Sequence, residues 1–176
     1  MPPTFSGSYV QEPSDLRVVC SESTIIAICD DAGSTEAAGK QLFAQLTADE
    51  KAAIVGVMND LIRPAEELLE SYARSRGYAI PLHPVDGTVK EIVAQLVWIA
   101  MRQRGGRLSG EQANKEREEI RGGQLSDIAK GRLILTATKD SAAPAPSSCF
   151  YAHSTAATRD KSGSVVRLSR EKMRGL

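Results

Sequence analysis

Behind Thr47-Ala48-Asp49-Glu50, apolar side chains recur at Ile54, Val57, Met58, Leu61, Ile62, Ala65, Leu68, Leu69 and Tyr72, a stripe that keeps its phase across Pro64. Steps of three and four place these side chains on one face of an α-helix, so a single long amphipathic helix over 48–76 frames the fold. Thr47 and Glu50 have the spacing of a capping box, in which each side chain takes a backbone N–H that the first turn would otherwise leave open. Pro64 lacks an N–H and its ring crowds the carbonyl of Asp60. A kink between Asp60 and Pro64 is therefore expected, not two separate helices.

The helix runs into Ser71 to Leu82, SYARSRGYAIPL, where Gly77 can take the left-handed C-terminal conformation and Pro81 and Pro84 hold the preceding residues extended. The chain thus crosses over in extended form. Thr88-Val89-Lys90-Glu91 reads as a second capping box, starting a helix over 88–103 with Val89, Ile92, Val93, Leu96, Val97 and Ala100 on one side. Trp98, Ile99 and Met101 add apolar surface to its other faces. Such a helix is expected to be central, burying against its own domain and against a neighbouring subunit.

Weaker helical stretches flank this pair. Ser14 could cap a short helix with Leu16 and Val19, and Ser21-Glu22-Ser23-Thr24 leads into another with Ile25, Ile26, Ile28 and Cys29. Leu42, Phe43 and Leu46 suggest a further short turn or helix within Thr35 to Leu46. Ser109 to Arg121 is rich in Glu, Lys and Arg with Ala113 and Ile120 as its apolar positions, so it reads as a solvent-facing or lumen-facing helix. Gly122-Gly123 is expected to break it before Leu125 and Ile128 return to the core. Leu133 to Thr136 is strand-capable. Ser141 to Ser148, rich in Ala, Pro and Ser, has the composition of a linker. Residues 155–176 carry 6 basic and 2 acidic side chains with few large apolar groups, too few to fold alone.

The fold class expected from these patterns is all-α. A small bundle packs the long kinked helix 48–76 on helix 88–103, with short N-terminal helices, a strand-like segment near 133–136 and an extended C-terminal tail. The expected divisions are a helical domain over 1–138, a linker over 139–148 and a basic docking tail over 149–176. At 176 residues and 41% hydrophobic, one core of ordinary size is affordable. No run approaches the roughly 18 apolar residues of a membrane span, and the start has neither a basic nor an apolar leader pattern, so a soluble, unexported chain with no membrane partner is expected.

The 22 basic and 22 acidic residues cancel but are unevenly spread: residues 1–49 carry 2 and 7, residues 50–100 carry 5 and 7, and residues 101–176 carry 15 and 8. A chain polarised in this way suits head-to-tail contact between copies or a basic tail seeking an acidic partner.

Little in the sequence points to chemistry. His83 and His153 stand apart, and His83, between Leu82 and Pro84, reads as a surface or packing residue. Cys20, Cys29 and Cys149 show no paired close spacing, which argues against a disulfide framework or a zinc site. Asp30-Asp31 and Glu66-Glu67 are adjacent acids, and helical neighbours point about 100 degrees apart, so they read as solvated faces or helix-end charges. Gly39-Lys40 lacks the upstream glycine and following Ser/Thr of a phosphate loop. No catalytic residue, cofactor or metal ligand is assigned.

Four pieces in order resemble the Mu-like phage head-tail joining (adaptor or connector) proteins. They are Asp15-Leu16, Ser21-Glu22, Ile25, Ile28 and Asp30-Asp31; Ser71-Tyr72, Arg76-Gly77-Tyr78 and Pro81-Leu82; Asp127 to Gly131 with Leu133 and Leu135; and the closing Ser169 to Leu176. The chain departs from that pattern at residues 32–46, which look inserted, at Gly122-Gly123, and at Cys29, where Thr is more familiar. The resemblance implies a structural protein with no enzymatic activity. It would be made in the host cytoplasm and placed in the virion neck as a ring of twelve copies between the portal and a tail-side neck or tail-terminator protein. Genomic DNA would pass through without sequence-specific contact. On that reading Arg167, Leu168, Arg170, Lys172, Met173, Arg174 and Leu176 dock on the portal or a neighbouring subunit, and Lys115, Glu116, Arg117 and Glu119 line the lumen. A reading from a different class is a small helical DNA-binding regulator, with Arg102, Arg104 and Arg107 after an apolar helix, although Gly105-Gly106 falls where a recognition helix should continue.

Overall fold

The computed structural model describes residues 3–31, 39–40, 42–139, 158–159 and 165–166. Its helices are α1 (Glu22–Cys29), α2 (Ala48–Ser75), α3 (Gly87–Arg104), α4 (Gly110–Ile120) and α5 (Ser126–Lys130), with 3-10 turns at Pro13–Leu16 and Phe43–Gln45. α3 packs on α2, α4 and α1, so it occupies the middle of the bundle.

α2 runs uninterrupted through Pro64, and both halves of the expected box at Thr47 and Glu50 are formed. Pro64 and Asp60 are both exposed, so water can satisfy the carbonyl that proline leaves without a donor. Ile54, Met58, Ile62, Ala65, Leu69 and Ala73 are buried along its inner face. Val57, Leu61, Leu68 and Tyr72 pack half-buried beside them. At its end Gly77 adopts φ 83°, and the N–H groups of Gly77 and Tyr78 return to the carbonyls of Arg74 and Ala73, as in a Schellman ending.

The chain then crosses to α3, whose cap is not the expected Thr88 but Asp86. Asp86 accepts from the Val89 N–H at 2.8 Å, and its other carboxylate oxygen takes the N–H and hydroxyl of Thr136, each at 3.2 Å. One side chain thus starts the helix and ties down a distant loop. Ile99 and Met101, expected on outer faces, are buried within the protomer together with Val89, Ile92, Val93, Leu96 and Val97, while Trp98 is half-buried.

Residues 133–136 form no strand. They lie irregularly along the crossover, held by the Leu135 N–H on the Tyr78 hydroxyl at 3.1 Å and by bonds of Thr138 with Ala79 and His83, and a single bridge pairs Tyr78 with Lys139. Leu135 is buried, Leu133 half-buried and Ile134 exposed.

Gly122-Gly123 does not break the helical path. Residues Arg121–Leu125 form a π-helical turn that connects α4 to α5. The extra residue of the wider turn lets Leu125, five positions after Ile120, point at the core, with Ile128 following. α5 ends at Gly131, whose φ of 73° leaves a seat for the Arg76 guanidinium; a Cβ there would lie 2.6 Å from Arg76 Nη2.

The N-terminal residues form a strap over α2. Glu66, expected to be solvated, is buried, and its carboxylate accepts the successive N–H groups of Ser8 at 2.9 Å, Tyr9 at 2.8 Å and Val10 at 3.3 Å. Three adjacent backbone donors converging on one anion are an anion-binding nest. Tyr9, itself buried, donates its hydroxyl to Glu70 at 2.8 Å and accepts from the Leu82 N–H at 2.9 Å, linking strap, α2 and crossover. Burial above all drives the Tyr9 phenol well above its ordinary pKa; the Leu82 N–H opposes this, and the Glu70 and Glu66 carboxylates add to it. The turn needs Gly7, because a Cβ would lie 2.6 Å from the Val10 carbonyl oxygen and 2.7 Å from Glu66 Oε1.

The chain divides into two units, Met1–Ala143 and Pro144–Leu176. In the second, β1 (Thr158–Arg159) pairs antiparallel with β2 (Val165–Val166) in the register Thr158↔Val166, Arg159↔Val165. The tail therefore doubles back on itself and is not extended throughout.

Candidate assembly surfaces

The helix expected from Ser109 forms as α4, with Ser109 as its cap and Gln112 closing a capping box. It buries only Ala113 along its length, which explains why its polar sequence tolerates this position. The four residues expected on the lumen face do not share one environment. Glu116 pairs with Arg102 of α3, and Arg117 donates to Gln103 at 2.7 Å and Asn114 at 3.4 Å, so both turn toward α3 and are half-buried. Lys115 and Glu119 remain exposed, one turn apart. The outward face of α4 therefore carries Glu111, Lys115, Glu118 and Glu119, of both signs.

The arginines that suggested a helix-turn-helix are largely engaged inside the protomer. Arg102 pairs with Glu116 and lies 5.6 Å from the centre of the Trp98 ring, and Arg104 pairs with Asp31. α3 ends at Arg104, followed by Gly105 and by Gly106 at φ 66°, so no recognition helix continues there. Arg107 is exposed.

Two open grooves mark the helical surface. One of about 830 Å³ runs between α2 and the α3–α4 pair, with Leu61, Pro64, Leu68, Leu96 and Ala100 in its floor and Arg104, Arg117 and Arg121 among its rim. The other, of about 500 Å³, lies between the Trp98 face of α3 and α4 with its π-helical turn. Outside the grooves, Val18, Leu42 and Ile134 are large apolar residues left exposed. The short turn expected within Thr35 to Leu46 forms at Phe43–Gln45 with Leu42 at its start, and among the described residues of that segment Phe43 and Leu46 are buried. Arg167, Leu168, Arg170, Lys172, Met173, Arg174 and Leu176 lie outside the described residues, as does most of the segment read as a linker.

Other residues weighed for chemistry have structural partners. Lys40 pairs with Glu50 at 2.9 Å, reinforcing the start of α2. Burial pushes the Cys20 thiol up to about 11. Burial likewise raises Cys29 to about 12, with Arg104 partly opposing it. Cys29 Sγ sits 3.5 Å from Met58 Sδ in the core. His83 is exposed and serves through its carbonyl, which accepts from Thr138. Among the described residues, no group of three or more His, Cys, Asp or Glu side chains could hold a metal, and no helix is long and apolar enough to cross a membrane.

No curated protein and no solved structure matches the chain. Residues 11–152 match the family described as Bacteriophage Mu, Gp36. A match over most of the length, on a helical unit with open grooves, leads to one conclusion: the chain belongs to the phage Mu Gp36 family of head-tail joining proteins.

Proposed function

We propose that copies of this protein close into a twelvefold ring in the virion neck, seated on the portal on one side and meeting a tail-side neck or tail-terminator protein on the other. The family assignment over residues 11–152 carries this reading. Membership makes the protein a structural component of a phage virion and not an enzyme. Synthesis is in the host cytoplasm, with assembly into the neck afterwards.

A closed ring of identical copies is built from heterologous contacts, in which two different surfaces of each copy meet. The uneven charge supports such a contact: residues 1–100 carry 7 basic and 14 acidic side chains (2 plus 5 against 7 plus 7), and residues 101–176 carry 15 and 8. The tail 149–176 docks on a neighbouring subunit or on the portal.

Genomic DNA passes through the centre without sequence-specific contact. A conduit lined by arginines would hold phosphates and oppose sliding, so a mixed or acidic surface suits the lumen better. The outward face of α4 has that character, and Lys115 and Glu119 are the lumen candidates it leaves exposed.

Light scattering of the purified protein, alone and mixed with purified portal, tests the proposal. The expected result is a closed oligomer in one or both samples, weakened by deleting residues 149–176 while the helical unit still melts cooperatively. A monomer that also fails to bind portal contradicts it.

A further inference from the structure

The smaller groove joins an aromatic wall to a spare negative charge. Trp98 is half-buried in it, and Arg102, which lies over that ring, is already paired with Glu116. Glu119, also in the lining, has no ion-pair partner among the described residues. Arg102 Nε and Gln124 Oε1 are buried with no hydrogen-bond partner among the described residues, a donor and an acceptor on the same wall. Leaving buried polar atoms unpaired costs stability, so a ligand that draws these side chains outward and pairs them is favoured. Gly123 lines the groove, and a Cβ there would meet nothing within 4 Å.

We propose that this groove receives the C-terminal segment, residues 167–176, of a neighbouring copy. This rests on the ring reading, names the site that the tail would occupy, and takes Glu119 out of the lumen face, leaving Lys115 as the lumen candidate. The segment carries Arg167, Arg170, Lys172 and Arg174 against Glu171, with Leu168, Met173 and Leu176 between them. Its cations complement Glu119 and the face of Trp98, and its apolar side chains fit the wall formed by Ile99 and Ile120. A peptide backbone brings one N–H and one C=O per residue, the two kinds of partner that Gln124 Oε1 and Arg102 Nε lack.

The chain has the reach. From Lys139, where description of the helical unit ends, to Arg167 is 28 residues (167 minus 139). Because β1 and β2 return Val166 to the side of Thr158, the reach is that of the 19 residues from Lys139 to Thr158 (158 minus 139), at most roughly 65 Å when fully extended, against a radius of gyration near 15 Å for a unit of this size. Heterologous closure then places each tail on the next copy, so that every groove is filled and every tail is used.

Two differently tagged full-length chains test this, one with Gly123→Cys and the other with Ser169→Cys, both with Cys149→Ser, assembled together on the portal. Under mild copper-phenanthroline oxidation a disulfide linking the two tags is expected, at least tenfold above that in a dilute unassembled mixture. Glu119→Lys in the groove-bearing chain should reduce it several-fold, and replacing Arg170 and Lys172 by Glu in the other chain should restore it. Gln95→Cys repeats the pairing from the opposite wall of the groove with Glu119 intact, should Gly123→Cys disturb the turn. Light scattering on the same samples separates the two readings. Assemblies of full mass without the inter-chain disulfide overturn the groove while the ring stands, as does a disulfide confined to one chain when both cysteines are carried together. Failure to assemble removes both.

Discussion

Glu66 and Glu67 are neighbours in sequence that the fold treats oppositely, which makes each the control for the other. Glu66→Ala removes an acceptor from three N–H groups, those of Ser8, Tyr9 and Val10, two of them at buried residues. A hydrogen bond to a charged acceptor is worth about 1.5–3 kcal/mol, so three intact bonds bound the loss near 4.5 kcal/mol at the low end of that range. The strap can lift and let water reach Ser8, which brings the expected loss to about 3 kcal/mol. Glu66→Gln keeps Oε1, the oxygen that serves Tyr9 and Val10, but turns an amide NH2 toward the Ser8 N–H, so about 1–2 kcal/mol is expected. Glu67 is exposed and, among the described residues, pairs only with Arg63 across one helical turn, so Glu67→Ala should cost about 0.3–0.5 kcal/mol. Urea denaturation of the full-length variants, followed by circular dichroism, gives these differences directly, and the melting temperature should fall by roughly 2–4 °C per kcal/mol. Gly7→Ala attacks the same nest from the other side, so its effect and that of Glu66→Ala should be far from additive. If Glu66→Ala falls within 0.5 kcal/mol of Glu67→Ala, the strap is not held as described.

The π-helical turn predicts that Gly122→Ala and Gly123→Ala are tolerated within about 1 kcal/mol, since a Cβ at either meets nothing within 4 Å, whereas deleting Gly123 should cost several kcal/mol by rotating Leu125 and Ile128 off the core; thermal melts of the three variants decide it. Asp15 is subject to burial, which would raise its pKa, but the Lys90 ammonium at 2.7 Å and the N–H groups of Gln11 and Glu12 outweigh this and hold it below its ordinary 3.8. Its contribution is therefore fully present above that value and is lost as pH falls through the depressed one, so Asp15→Asn should destabilise by about 1 kcal/mol at pH 7 and have no effect in strong acid, as read from urea midpoints against pH. With Cys20 at about 11 and Cys29 at about 12 against an ordinary 9.0, thiolate populations at pH 8 fall about 100-fold and 1,000-fold. A Cys149→Ser chain should therefore react with a thiol reagent at least tenfold faster in urea than when folded, and equal rates would refute the burial of Cys29 and the partial burial of Cys20.

The elements legible in the sequence are those whose signals are local. Ser21 and Thr47 each cap the helix their spacing announces, and the stripe from Ile54 to Tyr72 packs as its steps of three and four require. Asp86 displaced Thr88 because its second oxygen holds Thr136, 50 residues away, an advantage no local pattern encodes. Glu66 had a signal that charge obscured: it stands on the stripe of Ile62, Leu69 and Ala73, a position that burial reaches, but its partners are backbone N–H groups without a sequence signature. The five-residue step from Ile120 to Leu125 was likewise readable as one residue too many for an α-helix, and glycines accept the wider turn. At the candidate site, α4 was visible as a charged helix, but which of its charges face outward depended on Arg102 and Gln103 of α3. The groove at Trp98 was half legible, as apolar surface in excess of what one helix face needs. Its shape comes from the turn at Gly122-Gly123, which pairs residues far apart in the chain.

Electron cryo-microscopy of particles assembled with the wild-type chain and with a null mutant tests the central assignment most directly. The account predicts a ring of helical density between the portal and the tail in the first particles, into which residues 42–139 fit, and its loss in the second together with failed tail attachment. Density for this chain elsewhere in the particle, or normal tailed particles without it, would contradict the account.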